Sequence, residues 1–430
     1  MRLPGRISAA IEILTDMEEN HRPASIALKN WGLSHRFAGS GDRGVIGNLV
    51  YDALRNKASL AFIMENETPR ALVLATIVKL WGEDIKTLNE SFENDDFAPA
   101  KIDEKEIELL QSSSKISDEA KANFPLWLND TLKESFGKNW VSEGEAMALR
   151  PSLDLRINAL KSKLERVKKD FKKLDIQSVD LLPNSLRIEA GDGFDRVPNV
   201  SASEAYKKGW FEVQDLGSQI VAALISAKPG EQVLDYCAGA GGKTLSIAAQ
   251  MQNKGQIFAH DSDKHRLAPI YDRLKRNGVR NVQTIAPEKE KLEKLHNKMD
   301  RVVVDAPCTG TGTWRRRPDT KWRLNKDQLN DRVKQQAEIL REAAKFVRVG
   351  GQLTYITCSI LPQENSEQIA AFIKDNPSFS VLPAHSLWQK RFGSASNARP
   401  YFDDNGLTLT PASCGTDGFY ISILQRETLK

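Results

Sequence analysis

Apolar residues near the start of the chain fall at helical spacing. Ile7, Ala10, Ile11 and Leu14 recur at i, i+3, i+4 and i+7 and would line one helix face. Residues 45–54 and 71–81 carry the same kind of stripe, and Arg22-Pro23 and Gly39-Ser40-Gly41 read as turns between helices. Residues 83–108 are acidic and predict a solvated loop followed by a short helix. From about residue 154 the pattern changes to short strand-like pieces at 181–188 and a turn-rich stretch up to 203, which predict a small α/β domain. The second half alternates apolar runs at 232–236, 256–260, 281–285, 301–305 and 352–357 with helical spacers. That alternation predicts a mostly parallel, Rossmann-like sheet with helices on both faces. Runs at 407–410 and 419–424 would add antiparallel strands at one edge. The fold class is therefore α/β, with an all-α region at residues 1–135, a small α/β subdomain at 136–212 and the parallel-sheet domain at 213–430.

Composition narrows the class of protein. With 40% hydrophobic residues in 430, the chain can bury sizeable cores. No stretch approaches the ~20 apolar residues needed to cross a bilayer. The first residues carry charge inside their apolar pattern and lack a cleavage-like tail, so a cytoplasmic protein is expected. Cys237, Cys308, Cys358 and Cys414 are each separated from the next by at least 50 residues. Without a CxxC pair neither a structural zinc site nor a disulfide scaffold is expected, and no metal is assigned.

The net charge of +4 says little as a total, but its distribution does. Arg156, Lys161, Lys163, Arg166, Lys168, Lys169, Lys172 and Lys173 face only Glu165 and Asp170 in one short segment, a surface suited to phosphates. Trp314-Arg315-Arg316-Arg317-Pro318 and Lys321-Trp322-Arg323 interleave cations with aromatics, as binding of unpaired nucleic acid requires.

Asp235-Tyr236-Cys237-Ala238-Gly239-Ala240-Gly241-Gly242-Lys243-Thr244 follows a predicted strand and opens a helix. Its small residues admit close backbone approach, and the helix N-terminus offers free N–H groups. It is neither a GxGxxG fingerprint nor a P-loop. Asp261 ends the next strand, about 20 residues on, where a ribose hydroxyl is gripped in such sheets. Together these features indicate an adenosine-containing cofactor. Asp305-Ala306-Pro307-Cys308 ends the fourth strand of this sheet, and Thr357-Cys358-Ser359 ends the fifth. If those strands are neighbours, ~4.8 Å apart, both thiols emerge in one crevice beside the cofactor loop. A thiolate there could add to carbon 6 of a pyrimidine and make carbon 5 able to accept a methyl group. Asp305 would hydrogen-bond the N3/N4 edge of a cytosine, and the second thiol would assist release. The target base would have to leave its stack to reach the crevice.

These motifs resemble the Nop/Sun family of RNA cytosine-5 methyltransferases. The 235–244 loop is similar to that family's cofactor loop. Asp-Ala-Pro-Cys-Thr-Gly-Thr-Gly at 305–312 and Tyr-Ile-Thr-Cys-Ser at 355–359 are similar to its two cysteine motifs, with Gln363-Glu364-Asn365 following. Phe211-Glu212-Val213-Gln214-Asp215, with Ser218-Gln219, is also family-like. The resemblance implies a class I methyltransferase fold, with Cys358 as nucleophile and Cys308 as the thiol needed for product release. It implies S-adenosylmethionine held by Cys237, Ala238, Gly239, Ala240, Gly241, Gly242, Lys243, Asp261 and Asp305. RNA would be held by Lys168, Lys169, Arg315, Arg316, Arg317, Trp322 and Arg323. Two positions depart from the family pattern: Gly239-Ala240 stand where Ala-Pro is usual, and Pro287, followed by Glu288, falls near the usual acidic residue after the third strand.

Asp42-Arg43-Gly44-Val45-Ile46-Gly47-Asn48-Leu49-Val50-Tyr51 resembles part of a NusB-like RNA-binding domain, as carried by bacterial small-subunit ribosomal RNA methyltransferases of this family. The expectation is thus a monomeric enzyme acting on 16S ribosomal RNA without an obligate protein partner. Transfer RNA as substrate, and an inactive ribosome-assembly factor, are the alternatives.

Overall fold

The computed structural model describes residues 1–285, 289–393 and 397–428, which form two compact units. The first comprises Met1–Pro151, Ala190–Pro198 and Trp314–Arg323, and the second the rest of the described chain.

In the helical unit, Leu3–Glu19 buries Ile7, Ala10 and Leu14 as the spacing predicts. Pro23 caps the next helix, Ala24–Ser34. Gly39 is not a turn glycine but the N-cap of Ser40–Arg55, where its N–H donates to the Asp42 carboxylate. The 71–81 stripe divides into a helix, Pro69–Ala75, and a single π-turn, Thr76–Leu80. The acidic stretch is corrected most. It holds two helices, Ile85–Glu93 and Glu104–Gln111, started by Asp84 and by an Asp103/Glu106 capping box. Leu88, Phe92, Ile102 and Leu110 from this stretch join the core around Leu49, Val50 and Leu72. The unit runs on past residue 135 to Pro151 because Trp140–Met147 is also helical and buries Met147.

The second unit starts with a small sheet: β1 (Leu153–Ile157), β2 (Gln177–Ser178), β3 (Ser185–Ile188) and β4 (Phe211–Val213), in the order β2-β3-β1-β4. All its pairings are antiparallel. Its core is Leu155, Ile157, Val167, Leu186 and Phe211.

The large sheet contains β5 (Gln232–Asp235), β6 (Gln256–His260), β7 (Val282–Ile285), β8 (Met299–Asp305) and β9 (Val347–Thr357). It continues with β10 (Phe379–Val381), β11 (Tyr401–Phe402), β12 (Leu407–Leu409) and β13 (Phe419–Arg426). The order is β11-β12-β13-β9-β8-β5-β6-β7, with β10 on β13. Strands β5 to β9 pair in parallel, and β13 joins β9 antiparallel, as expected for the late strands. Alternate residues of β5 serve two cores, since Val233 packs with Ile220, Ile247 and Ile356 and Leu234 with Val302, Leu340 and Tyr355. Strands buried on both faces read as continuous apolar runs, which is why these segments stand out in the sequence. The chain runs outward from β5 to β6 and β7, then crosses to β8 and β9 on its other side. The carboxyl end of β5 is therefore the topological switch point where such sheets bind ligands.

Candidate active site

The loop after β5 is shaped by two glycines. Gly241 adopts φ +83°, and a Cβ there would lie 2.5 Å from Ile270 Cγ1, so no other residue fits without displacement. Gly239 adopts φ +47°, where a side chain would be strained, although a Cβ there would lie at an ordinary 3.8 Å from Asp261 Oδ2. The loop is tied to the end of β6: Ala238 N–H donates to His260 O at 2.8 Å and Gly239 N–H to Asp261 Oδ2 at 2.9 Å. The second Asp261 oxygen accepts the Asp263 N–H, so a carboxylate 2% exposed is fixed at the strand end. Burial pushes the Cys237 thiol far above the thiol range, so this cysteine contributes backbone and bulk rather than a nucleophile.

Below the loop, Asp235 is fully buried. One oxygen accepts the Thr244 hydroxyl at 2.6 Å and the other has no protein partner. Burial pushes its carboxyl up to about 7, opposed by the Thr244 bond and reinforced by the nearby Asp305 charge. Lys243, at the start of the helix Gly242–Gln250, donates to Ser218 Oγ at 3.0 Å and to Asp305 Oδ2 at 3.1 Å. The cofactor loop is thus joined directly to the end of β8.

Cys308 and Cys358 follow β8 and β9, which are parallel neighbours, and their sulfurs lie 3.3 Å apart. The expected convergence of the two thiols beside Asp305 is present in the fold. The bond to Cys358 and the burial of its sulfur push the Cys308 thiol well above its ordinary range.

The residues holding these loops were largely missed from sequence. Glu364, fully buried, accepts from Thr309 N–H at 2.8 Å, from the Thr309 hydroxyl and from Gln336 Nε2 at 2.9 Å. Gln336 Nε2 also donates to Pro307 O at 3.0 Å. On the other loop, Asn365 accepts from the Thr357 hydroxyl at 2.6 Å and donates to Ser359 O at 3.0 Å. Thr311 and Ser359 share a hydroxyl bond of 2.9 Å, and Gly312 N–H donates to Cys358 O at 2.9 Å. A readable signal existed for Gln336, a polar residue in register with buried Leu329, Leu340 and Ala343 on one helix face. Ser218 and Asp235 stand inside quoted motifs, but nothing local marked their side chains as part of the site.

The RNA-facing expectations divide. Lys168 and Lys169 lie on the helix Leu164–Asp170, Lys169 exposed and Lys168 half-buried, with Lys161, Lys163, Lys172 and Lys173 exposed around them. Arg166 lies over the Trp210 ring at 3.8 Å. Arg156 leaves this strip, because it is buried on β1 and donates to Gln214 Oε1. The exposed strip expected over 314–323 is corrected. Trp314, Arg315 and Lys321 are buried, and Trp322 is half-buried with its ring nitrogen donating to Leu54 O at 2.6 Å. Arg316 is half-buried, and Arg317 and Arg323 are exposed. Pro287 and Glu288 lie outside the described residues.

A model of the family described as 16S rRNA methyltransferase RsmB/F matches residues 222–425. The probable ribosomal RNA small subunit methyltransferase B of a Synechocystis species is 30% identical over 325 residues, 74% of this chain and 70% of that protein. Its counterpart in Bacillus subtilis is 28% identical across 97% of this chain and 98% of its own. Among solved structures, that of PH0851 covers 99% of both chains with a TM-score of 0.73 at 25% identity. These likenesses support the Nop/Sun resemblance read from the motifs. With the paired cysteine strands in place on a Rossmann-like sheet, the chain belongs to the RsmB/F family of 16S rRNA methyltransferases.

Proposed function

We propose that this protein methylates carbon 5 of a cytosine in small-subunit (16S) ribosomal RNA, with S-adenosylmethionine as donor and Cys358 as nucleophile. The observation that carries the reading is the pair of sulfurs 3.3 Å apart at the ends of adjacent strands, beside Asp305. The relatives named as small-subunit methyltransferases support the choice of RNA.

The loop fits such a donor. The first N–H groups of the helix Gly242–Gln250 would face an electron-rich ligand, and Asp261, fixed at the strand end, would take the ribose hydroxyls. Cys237 to Lys243 would line the cradle and Asp305 its far wall. S-adenosylmethionine held there supplies an electrophilic methyl group.

The chain's own groups do the rest. Cys358 loses its thiol proton to solvent, its sulfur bonds carbon 6 of the cytosine, and the displaced electron pair makes carbon 5 nucleophilic. Asp305, an acceptor already bonded by Lys243, takes a hydrogen bond from the N4 amino group and orients the base, while N3 takes a proton from solvent as addition places the electron pair on the ring. After methylation the proton on carbon 5 passes to solvent, the carbon 5–carbon 6 double bond re-forms, and the Cys358 sulfur departs. Cys308, held protonated by its sulfur contact and its burial, donates to that departing thiolate. The 161–173 strip in one unit, and Arg317 and Arg323 in the NusB-like helical unit, would each contact the RNA of a monomeric cytoplasmic enzyme.

The test is transfer of labelled methyl from S-adenosylmethionine to 16S RNA from cells lacking the protein, followed by digestion to nucleosides. Label is expected in 5-methylcytidine alone. Label in another nucleoside, or transfer only to transfer RNA, contradicts the reading.

A further inference from the structure

Cys308 stands between two residues that one buried polar pair holds. Gln336 Nε2 donates to the carbonyl of Pro307, on one side, while Glu364 accepts both the N–H and the hydroxyl of Thr309, on the other. Gln336 and Glu364 are themselves joined at 2.9 Å, and both are fully buried. The donors that reach the Glu364 carboxylate are neutral. Placing a carboxylate there without a cation is costly unless its oxygens are satisfied, and these bonds satisfy them with a specific loop geometry. The Glu364 main chain is also fixed, since its carbonyl accepts the Tyr355 hydroxyl at 2.7 Å. Cys358 is held by different groups: its neighbours Thr357 and Ser359 are bonded by Asn365. Adjacent residues Glu364 and Asn365 thus each hold the residues beside one thiol, and the loops meet further on through Thr311–Ser359 and Gly312–Cys358.

We infer that Glu364, with Gln336, is a positioning residue for Cys308 and acts on product release rather than on addition or methyl transfer. This inference rests on the division of thiol roles proposed above. Without the pair, the Pro307–Thr309 segment loses the bonds on both sides of Cys308, and its thiol no longer sits against the departing sulfur. Addition by Cys358 and methylation of carbon 5 continue, because Asn365 still holds that loop. The enzyme should then stall as a methylated covalent adduct.

The experiment compares wild type with Cys308→Ala, Glu364→Ala, Glu364→Gln and Gln336→Ala on 16S RNA. It measures steady-state turnover, the single-turnover methylation rate, KM for RNA and denaturation-resistant protein–RNA adduct. Glu364→Ala is expected to lose turnover ~10- to 100-fold, the scale of a small misplacement of a reacting group. Its single-turnover rate and KM should change less than ~3-fold, and adduct should accumulate as in Cys308→Ala. Glu364→Gln keeps an acceptor for Thr309 N–H and Gln336, so it should restore turnover and release. Gln336→Ala, which leaves the carboxylate in place, should show the same adduct more weakly and carries the test if Glu364→Ala does not fold. Equal loss of single-turnover and steady-state rates, no adduct in either alanine variant, or no rescue by glutamine overturns the inference. Adduct in Cys308→Ala but not in the Glu364 and Gln336 variants overturns it alone. Absence of adduct in Cys308→Ala overturns the thiol roles as well.

Discussion

Asp235 has a proton equilibrium that should be visible in stability. Burial pushes its carboxyl up to about 7, against about 3.9 in an unfolded chain. Between those values the folded state binds more protons than the unfolded one, so this residue's contribution is full below about pH 4 and is lost as pH rises through 7. Asp235→Asn keeps an acceptor for the Thr244 hydroxyl and removes the titration. Urea midpoints at pH 5 and pH 7.5 should therefore fall more with rising pH in the wild type than in the variant. Parallel changes would mean that Asp235 ionises as an exposed carboxylate does. Burial raises the Cys237 thiol as well, and an inert thiol suits a loop that only has to lie close to a ligand.

The strands that carry the site were legible because each is apolar on both faces and ends in a distinctive turn. Their carboxyl ends match the predicted runs at His260, Ile285, Asp305 and Thr357, and β5 ends at Asp235, one residue before its run. Their starts were harder to read. Strand β9 begins at Val347, before Gly350 and Gly351, and β8 begins at Met299, before the polar residues Asp300 and Arg301. Those glycines and charges break the apolar pattern without breaking the backbone ladder. The helices in the acidic 83–111 stretch were illegible for a related reason. Their buried positions are few and widely spaced among acids, and their starts depend on side-chain caps rather than on a long stripe. Convergence of the two cysteines could be argued from strand order alone. The bonds from Glu364 and Gln336 could not, because they join residues 28 and 55 positions apart through loop geometry.

Across the whole chain, the largest departure from the sequence reading is the segment Trp314–Arg323, which follows the Cys308 loop yet belongs to the helical unit. Its charges read as a solvated nucleic-acid surface because composition does not say which N–H groups serve buried carbonyls. Arg55 donates to Arg315 O at 2.7 Å, Lys321 to Arg55 O at 2.9 Å, and Ala24 N–H to Asp319 at 3.2 Å. Burial, with a smaller contribution from Arg55, pushes the Lys321 amine down to about 7. An unfolded lysine titrates at about 10.4, so the unfolded state binds the extra proton between these values and Lys321's contribution to stability rises with pH across that window. Lys321→Met removes that dependence. Subtracting the variant's unfolding free energy from that of the wild type should give a difference that grows from pH 7 to pH 9.5. A constant difference would show that the amine is not held neutral by the fold.

The chemistry proposed for the whole molecule depends on which sulfur bonds the base. Ribosomal RNA containing 5-fluorocytidine traps the nucleophile, since fluorine on carbon 5 cannot leave as the proton does. The wild-type protein, incubated with that RNA and S-adenosylmethionine, is digested and the linked peptide sequenced by mass spectrometry. Expected is a methylated fluorocytidine joined to Cys358. A linkage to Cys308, or no linkage at all, contradicts the proposed reaction.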